Sequence, residues 1–365
     1  MLVKKIEFTN FRNLENTALC PKDGINVIFG NNAQGKTNII ECLWLFTGGR
    51  SFRGSKDSEL IAFDSDHAEI RLEFNSEGRD QCIELNIRNG KRSATLNDVP
   101  KKYISQIIGS FTAVVFSPDH LTLIKNGPEE RRAFIDGALC QIKPAYAVQL
   151  SRYKKILGER NALLKDIPRH RELEDTLDIW NEKLAAEGGA VARTRALYTE
   201  GLKKHAALFY DGISEGRESL EIEYKISFRA ENTMSSSEMS QMMLENLRKR
   251  QSDDIYLGYT TTGPHRDDLS VKINGKEARS FGSQGQQRSA VLSLKLAEAA
   301  LLAEKKGEAP VILLDDVLSE LDPSRQDYLL SRLEGMQVFI TCCELSVPAR
   351  GMICVDGGRL TCTEE

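Results

Sequence analysis

Residues 30 to 37 read Gly-Asn-Asn-Ala-Gln-Gly-Lys-Thr, and the residues on either side leave the chain little freedom in how it folds there. Ile25-Asn26-Val27-Ile28-Phe29 before them is a strand-like apolar run, and Asn38-Ile39-Ile40-Glu41-Cys42-Leu43-Trp44 after them reads as a helix. In that setting, a strand followed by a loop bounded by Gly30 and Gly35 and then a helix, the pattern G-x-x-x-x-G-K-[ST] is a phosphate-binding loop. The glycines let the backbone N–H groups of Asn31, Asn32, Ala33 and Gln34 curl around phosphate oxygens. The start of the helix near Asn38 adds partial positive charge. Lys36 is expected to reach the β- and γ-phosphates, and Thr37 to hold Mg²⁺.

The complement of that loop stands far away. Val311-Ile312-Leu313-Leu314-Asp315-Asp316 reads as a buried strand ending in two carboxylates. In a phosphate-loop protein one such acid can hold the metal and its neighbour can orient or deprotonate the attacking water, so Asp315 is assigned to Mg²⁺ and Asp316 to the base. Asp315 lies 279 residues after Lys36, too far for one uninterrupted nucleotide fold. The middle of the chain must therefore be an insertion.

The order of patterns fits this division. Residues 1–118 read as strands and turns around the phosphate loop, including Ala68–Phe74, Cys82–Arg88 and the Asn89-Gly90 hairpin signal. Antiparallel hairpins are foreign to a minimal parallel nucleotide core, so they form an added β-layer. Residues 119–250 turn helical: Tyr146, Leu150, Tyr153, Leu157 and Leu164 share one face, and Leu173, Leu177, Trp180, Leu184, Val191, Tyr198 and Leu202 another. The break at Asp166-Ile167-Pro168-Arg169 predicts an antiparallel pair, and Gly158, Gly188-Gly189 and Gly201 are expected to interrupt it and exclude a long coiled coil. Residues 251–365 return to strand-like text, with an Asn274-Gly275 turn and the acidic strand.

Composition excludes little else. A net charge of -4 gives no whole-chain attraction to nucleic acid, so a DNA contact must come from a local basic patch. The eight cysteines never fall in a C-x₂-C pair, which suggests neither a zinc site nor a disulfide framework. No run long enough for a membrane span and no signal peptide is visible, so a reduced, cytoplasmic location is expected.

The split arrangement resembles the ATP-binding-cassette heads of the SMC class, and further residues match that class. Ser283-Gln284-Gly285-Gln286-Gln287, opening a helix at Arg288, resembles the signature motif. Ser319-Glu320-Leu321-Asp322 resembles the D-loop, Phe11-Arg12-Asn13 the entry motif with Arg12 near the phosphates, and Ser51-Phe52-Arg53 an arginine loop. Two more motifs narrow the match to the RecF family. They are Thr261-Thr262-Gly263-Pro264-His265-Arg266-Asp267-Asp268, and Phe116-Ser117-Pro118-Asp119 followed by Gly127-Pro128 and Arg131-Arg132. The resemblance runs essentially the whole length. It implies an α/β fold: an ABC-type phosphate-loop ATPase head with an added antiparallel β-layer and an inserted α-helical subdomain.

For function, the resemblance implies ATP with Mg²⁺ and a homodimer in which Ser283, Gly285 and Gln286 of one copy close over the ATP held by Lys36 of the other. It implies weak ATPase activity, with Lys36, Ser283, Asp315 and Asp316 as the catalytic set. It also implies binding to duplex and gapped DNA, and loading of RecA together with RecR and RecO. From the residues themselves, Arg131-Arg132, Arg152, Lys154-Lys155, Arg160, Arg169-His170-Arg171 and Lys203-Lys204 make the insert locally basic and able to meet phosphates.

Two departures point to slow turnover. Thr341 stands where transporter-type cassettes carry a histidine, and Asp316 replaces the longer glutamate base. A transporter-type cassette subunit and a non-hydrolysing nucleotide scaffold are the competing readings. His265-Arg266-Asp267 imitates a kinase catalytic loop, but a kinase uses a different glycine loop and has no G-x-x-x-x-G-K-T.

Overall fold

Alternation of apolar residues builds the first layer. In the strand His67–Ser76 the side chains of Ala68, Ile70, Leu72 and Phe74 are all buried, while the intervening residues face outward. The computed structural model describes residues 1–343 and 349–363. In it this strand lies in an antiparallel sheet of order Thr17–Leu19, Leu2–Thr9, His67–Ser76, Arg79–Arg88, Lys91–Leu96, Val99–Lys101. The predicted hairpin is there: Arg88 pairs with Lys91, and Asn89 and Gly90 take φ values of 52° and 67°, the left-handed turn that an Asn-Gly pair favours.

The second layer carries the site. Six strands run in the order Arg359–Thr363, Gly351–Asp356, Ile25–Phe29, Val338–Cys342, Val311–Asp315, Ala113–Phe116, all parallel except the antiparallel edge strand Arg359–Thr363. Ile25–Phe29, Val338–Cys342, Val311–Asp315 and Ala113–Phe116 read as nearly continuous apolar runs because a parallel sheet is covered on both faces. One core joins the two layers through the helix Lys36–Leu45, where Ile39, Ile40, Cys42, Leu43 and Leu45 have no solvent exposure. The parallel core, the antiparallel layer and the inserted helical segment make the SMC-like ABC ATPase head fold that the sequence motifs imply.

The chain divides into two compact units: Met1–Thr122 with Gly212–Glu215 and Val291–Glu365, and Leu123–Asp211 with Gly216–Ala290. The first division lies between residues 122 and 123. Residues 251–290, expected with the C-terminal part of the head, belong to the helical unit. Two contacts explain this: the strand Asp268–Ile273 pairs along its length with Leu220–Lys225, and Arg131 clamps Asp268 with bonds of 2.7 and 2.9 Å.

Within the second unit the helix Pro144–Asp166 buries Tyr146, Leu150, Tyr153 and Leu164 as expected. The next helix departs from expectation. Leu177–Ser214 is a single helix of 38 residues, about 57 Å long, passing through Gly188, Gly189 and Gly201 without a break. The first two glycines serve close packing. A Cβ on Gly189 would stand 2.3 Å from the Ser240 hydroxyl and 2.4 Å from its backbone nitrogen, and one on Gly188 2.4 Å from Met243 sulfur. Among the described residues no helix is long and apolar enough to cross a membrane.

Candidate functional site

The loop after Ile25–Phe29 takes backbone angles that few residues tolerate: φ is 147° at Gly30, 64° at Ala33 and 117° at Gly35. A Cβ at Gly30 would lie 2.2 Å from the carbonyl oxygen of Val355, so only glycine fits between the loop and the strand Gly351–Asp356. Gly35 caps the helix Lys36–Leu45 with no side chain over its free N–H groups and no acid in the first turn, which leaves that end electropositive. Lys36 folds into the loop, its ammonium 2.5 Å from Gly30 oxygen and 3.0 Å from Asn31 oxygen, and Cys343 sulfur lies 3.7 Å away.

Across the sheet the acidic strand meets the loop. Thr37 donates its hydroxyl to Asp315 Oδ1 at 2.8 Å, and Thr341 donates to the same oxygen at 2.9 Å. Burial raises the pKa of Asp315, and these two hydroxyl bonds offset only part of that rise. Thr341 also accepts the backbone N–H of Asp316 at 2.9 Å. Asp316 is exposed and holds a left-handed φ of 51°, with its carboxylate accepting from Ser319 at 3.0 Å. One acid is therefore buried and anchored by hydroxyls, while the next turns outward to the cavity.

Arg12 and Arg53 converge on Glu41, a fully buried carboxylate on the phosphate-loop helix. Arg12 donates to both oxygens at 3.0 Å, Ser51 donates at 2.5 Å, and Arg53 lies 3.9 Å away. Arg12 also bonds Ser55 and the carbonyl of Glu59, so its guanidinium is fixed at the cavity wall. Arg53 and Asn13 in turn hold the side-chain amide of Asn38, at 3.1 and 2.6 Å. Gln34 points away from the cavity, its amide oxygen accepting from Gly357 N–H at 2.5 Å. Asn32 accepts from Cys343 at 3.1 Å.

These residues surround a cavity of about 950 Å³ whose walls include Arg12, Asn32, Ala33, Gly35, Lys36, Thr37, Asn38, Arg53, Asp316 and Thr341. Thr37 and Asp315 offer hard oxygen donors side by side. Mg²⁺ uses one or two protein oxygens and takes the rest from phosphate and water, so the donor set suits it.

The signature residues belong to the other compact unit. Ser283 is exposed and caps the helix Gln284–Lys306: its hydroxyl accepts Gln286 N–H at 3.2 Å, and its own N–H donates to Gln286 Oε1 at 2.8 Å. Gln286 also donates to Glu218 at 2.5 Å. The segment Thr261–Asp267 is pinned internally. His265 is bonded to Tyr153 at 2.6 Å and to the Thr260 carbonyl at 3.0 Å, and burial lowers its pKa to about 4. Asp267 accepts from Tyr224 and from Ser227 N–H, while Arg195 donates to the Pro264 carbonyl. This is a locked turn that keeps His265 neutral.

Two arginines expected to face DNA do not. Arg160 is fully buried against Asp254 at 2.8 Å, and Arg131 is only 5% exposed in its pair with Asp268. Arg152, Lys154, Lys155, Arg169, Arg171, Lys203 and Lys204 remain exposed. Sequence reasoning missed Glu41 as an anchor, although an acid within the apolar run Ile39-Ile40-Glu41-Cys42-Leu43 signals a buried cation partner. It noted Thr341 without its role, because that role depends on two residues from another strand.

A family model described as the RecF/RecN/SMC N terminal domain matches residues 2–350. The chain is 43% identical over 344 residues to the DNA replication and repair protein RecF of Ruminiclostridium cellulolyticum, covering 94% of this chain and 92% of that one. It is 41% identical over 343 residues to the RecF of Bacillus mycoides, covering 93% and 92%. Among solved structures, the recombination mediator protein RecF with ATP superposes with a TM-score of 0.94 at 38% identity, covering 100% of this chain and 98% of that one. The Smc head domain of Pyrococcus furiosus, at 17% identity and a TM-score of 0.57 over 99% and 96% of the chains, shares the fold.

Proposed function

Since this chain belongs to the RecF family of DNA replication and repair proteins, we propose that it is an ATP-driven switch of recombinational repair, acting in the cytoplasm as a dimer on gapped duplex DNA. The observation that carries the reading is the 2.8 Å bond from Thr37 to Asp315, which joins two half-sites 278 positions apart in sequence. Lys36 and the N–H groups from Asn31 to Asn38 bind the phosphates, and Arg12 orders the wall of the cavity. Thr37 and Asp315 would hold Mg²⁺, which when bound supplies charge to offset that developing on the phosphate oxygens. Asp316, facing the cavity, positions the attacking water and accepts its proton.

The exposed Ser283 and the helix N-terminus that follows it suit a γ-phosphate held by a second copy. Ser283, Gly285 and Gln286 thus complete the partner's site, and ATP joins two heads by an isologous contact. Hydrolysis is slow because Asp316 is short and no histidine stands at position 341. The exposed cations Arg152, Lys154, Lys155, Lys203 and Lys204 meet DNA phosphates, and RecR, with RecO and RecA, is the protein partner that the family relationship suggests.

Sedimentation with ATP, ADP or no nucleotide, with and without gapped duplex, tests this reading. Wild type should dimerise with ATP alone among the nucleotides, Lys36→Ala should neither bind ATP nor dimerise, and Asp316→Asn should persist as an ATP-bound dimer on DNA. A wild-type monomer under every condition refutes the dimer, and an Asp316→Asn protein that dimerises no better than wild type refutes the base assignment.

A further inference from the structure

In the helical unit, the short helix Gln251–Leu257 ends on Gly258, which takes a left-handed φ of 71° and donates its N–H to the Asp254 carbonyl at 2.8 Å. The residues around that turn are large and uncovered: Tyr256 is 89% exposed, Leu257 45% and Tyr259 40%. A tyrosine ring ordinarily buries its apolar body, so two open rings three positions apart mark a contact surface.

The turn is held from both sides. Asp254 is completely buried, and its carboxylate accepts from Arg160 at 2.8 Å, from Thr261 N–H at 2.9 Å and from the Thr261 hydroxyl at 2.7 Å. Thr260 donates its N–H and its hydroxyl to Asn161 Oδ1 at 2.8 and 2.7 Å. Tyr256 and Tyr259 therefore stand on fixed backbone, with Cα atoms no more than about 11 Å apart.

Cations accompany the rings. The Arg266 guanidinium lies over the Tyr259 ring, 5.0 Å from its centre, and a Cβ on Gly258 would stand 3.4 Å from the Lys165 side chain. Asn161 meets this segment from the helix Pro144–Asp166, and Lys154, seven residues before it, and Lys165, four after it, share its face of that helix. Lys154, Lys165 and Arg266 are exposed, and among the described residues none of the three pairs with an acid. Asp166 and Asp253 are exposed in the same stretch, so charge alone would hold an anionic chain weakly there, and the rings have to supply the rest.

We propose that Tyr256 and Tyr259, flanked by Lys154, Lys165 and Arg266, bind single-stranded DNA, with unpaired bases laid on the two rings and the cations meeting the phosphates. Open aromatic rings among unpaired cations are the two parts that a single-strand surface requires, since every base has a π-face and every nucleotide a phosphate. In a duplex the bases stack on one another and offer no free face, so this surface distinguishes the unpaired strand of a gap from the duplex beside it. The inference rests on the DNA-binding reading above and deepens it.

Fluorescence anisotropy on the full chain with Mg-ATP, using oligo(dT), a blunt duplex and the same duplex carrying a gap, tests the surface. Tyr256→Ala should raise the Kd for oligo(dT) by about 5- to 150-fold, as for loss of one stacked base, and leave that for the blunt duplex within about twofold. Its affinity for the gapped duplex should fall toward that for the blunt one. Tyr256→Phe, which keeps the π-face, should bind as wild type does. Lys165→Ala should lower the slope of log affinity against log salt for oligo(dT) by about 0.7, whereas Tyr256→Ala should leave that slope unchanged. Both side chains are exposed, so these variants should melt with wild type. A Tyr256→Ala protein that binds oligo(dT) as wild type does overturns the inference and leaves the rings as a surface for a protein partner. An equal loss for oligo(dT) and blunt duplex overturns it as well. If wild type binds the blunt duplex but not oligo(dT), this inference fails alone; if it binds no DNA, the DNA-binding reading fails first and this inference falls with it.

Discussion

Thr341 is the most exacting test of the site, because one hydroxyl serves both acids. Buried to 2% exposure, it donates to Asp315 Oδ1 and accepts the N–H of Asp316, each at 2.9 Å. Thr341→Val keeps the shape and removes both bonds. A bond to a carboxylate contributes about 1.5–3 kcal/mol, and an orphaned N–H costs about 1–3 kcal/mol. Water reaches the Asp316 side, so the sum should sit near the low end, about 3 kcal/mol. For a unit of about two hundred residues this lowers the melting temperature by about 6–12 °C.

The functional effect of the same change should exceed the thermal one. Asp316 holds a φ of 51°, a conformation costing about 1–3 kcal/mol that persists only while its surroundings hold it. Without the Thr341 tether the backbone relaxes, and under the proposed base role of Asp316 its carboxylate moves away from the attacking water. Displacement of that order costs about 10- to 100-fold in turnover. ATP affinity, set by the loop and Lys36, should change less than about threefold, and Thr341→Ser should restore both stability and rate. Single-turnover hydrolysis beside ATP titration decides the matter. A proportionate loss of affinity and rate, or a Thr341→Val protein that melts with wild type, would refute the reasoning.

Burial lowers the pKa of His265 from 6.5 to about 4, so its neutral form stabilises the fold fully above pH 6.5 and that stability is lost as pH falls. Between pH 7.5 and 5 wild type should lose about 2 kcal/mol more than His265→Gln in denaturant titrations; equal losses would mean that His265 titrates as freely as in the unfolded chain. Replacing exposed Arg152, Lys154 and Lys155 with alanine should reduce the slope of log affinity against log salt for gapped duplex by about 2 to 3, with melting unchanged. Arg131→Ala, which leaves half-buried Asp268 and the Leu123, Ile124 and Asn126 carbonyls without their donor, should instead destabilise the protein by about 1.5–3 kcal/mol in thermal melts, and a normal melt would put Arg131 on the surface after all.

What the sequence revealed and what it hid divide along physical lines. The phosphate loop, the Asn-Gly hairpins and the buried strands were legible because each is a local pattern with a local cause. Arg131 and Arg160 were misread as surface cations because their partners, Asp268 and Asp254, lie 137 and 94 residues away. Arg160 carried a clue even so: it falls seven residues after Tyr153, which itself falls seven after Tyr146, on the same buried stripe. Gly188 and Gly189 were read as helix breakers from intrinsic propensity, a weak term of about 1 kcal/mol each. Close approach of Ser240 and Met243, recorded nowhere near those glycines in the sequence, outweighs it.

The sheet order gives the split site a further meaning. The strand Ile25–Phe29, which carries the phosphate loop, has Val338–Cys342 on one side and Gly351–Asp356 on the other, so both its neighbours come from the last thirty or so residues of the chain. Position 30 excludes a Cβ only once Val355 has closed against it, and Thr37 meets Asp315 only when Val311–Asp315 is in place. The N-terminal segment alone therefore presents a loop motif on a strand with unpaired edges and no Asp315 beside Thr37. Nearly the whole chain, including the inserted helical unit, must be made before the nucleotide cavity can exist. The loop that announces nucleotide binding at residue 30 is thus among the last parts of the fold to be completed, and a C-terminal truncation should abolish ATP binding without touching a single loop residue.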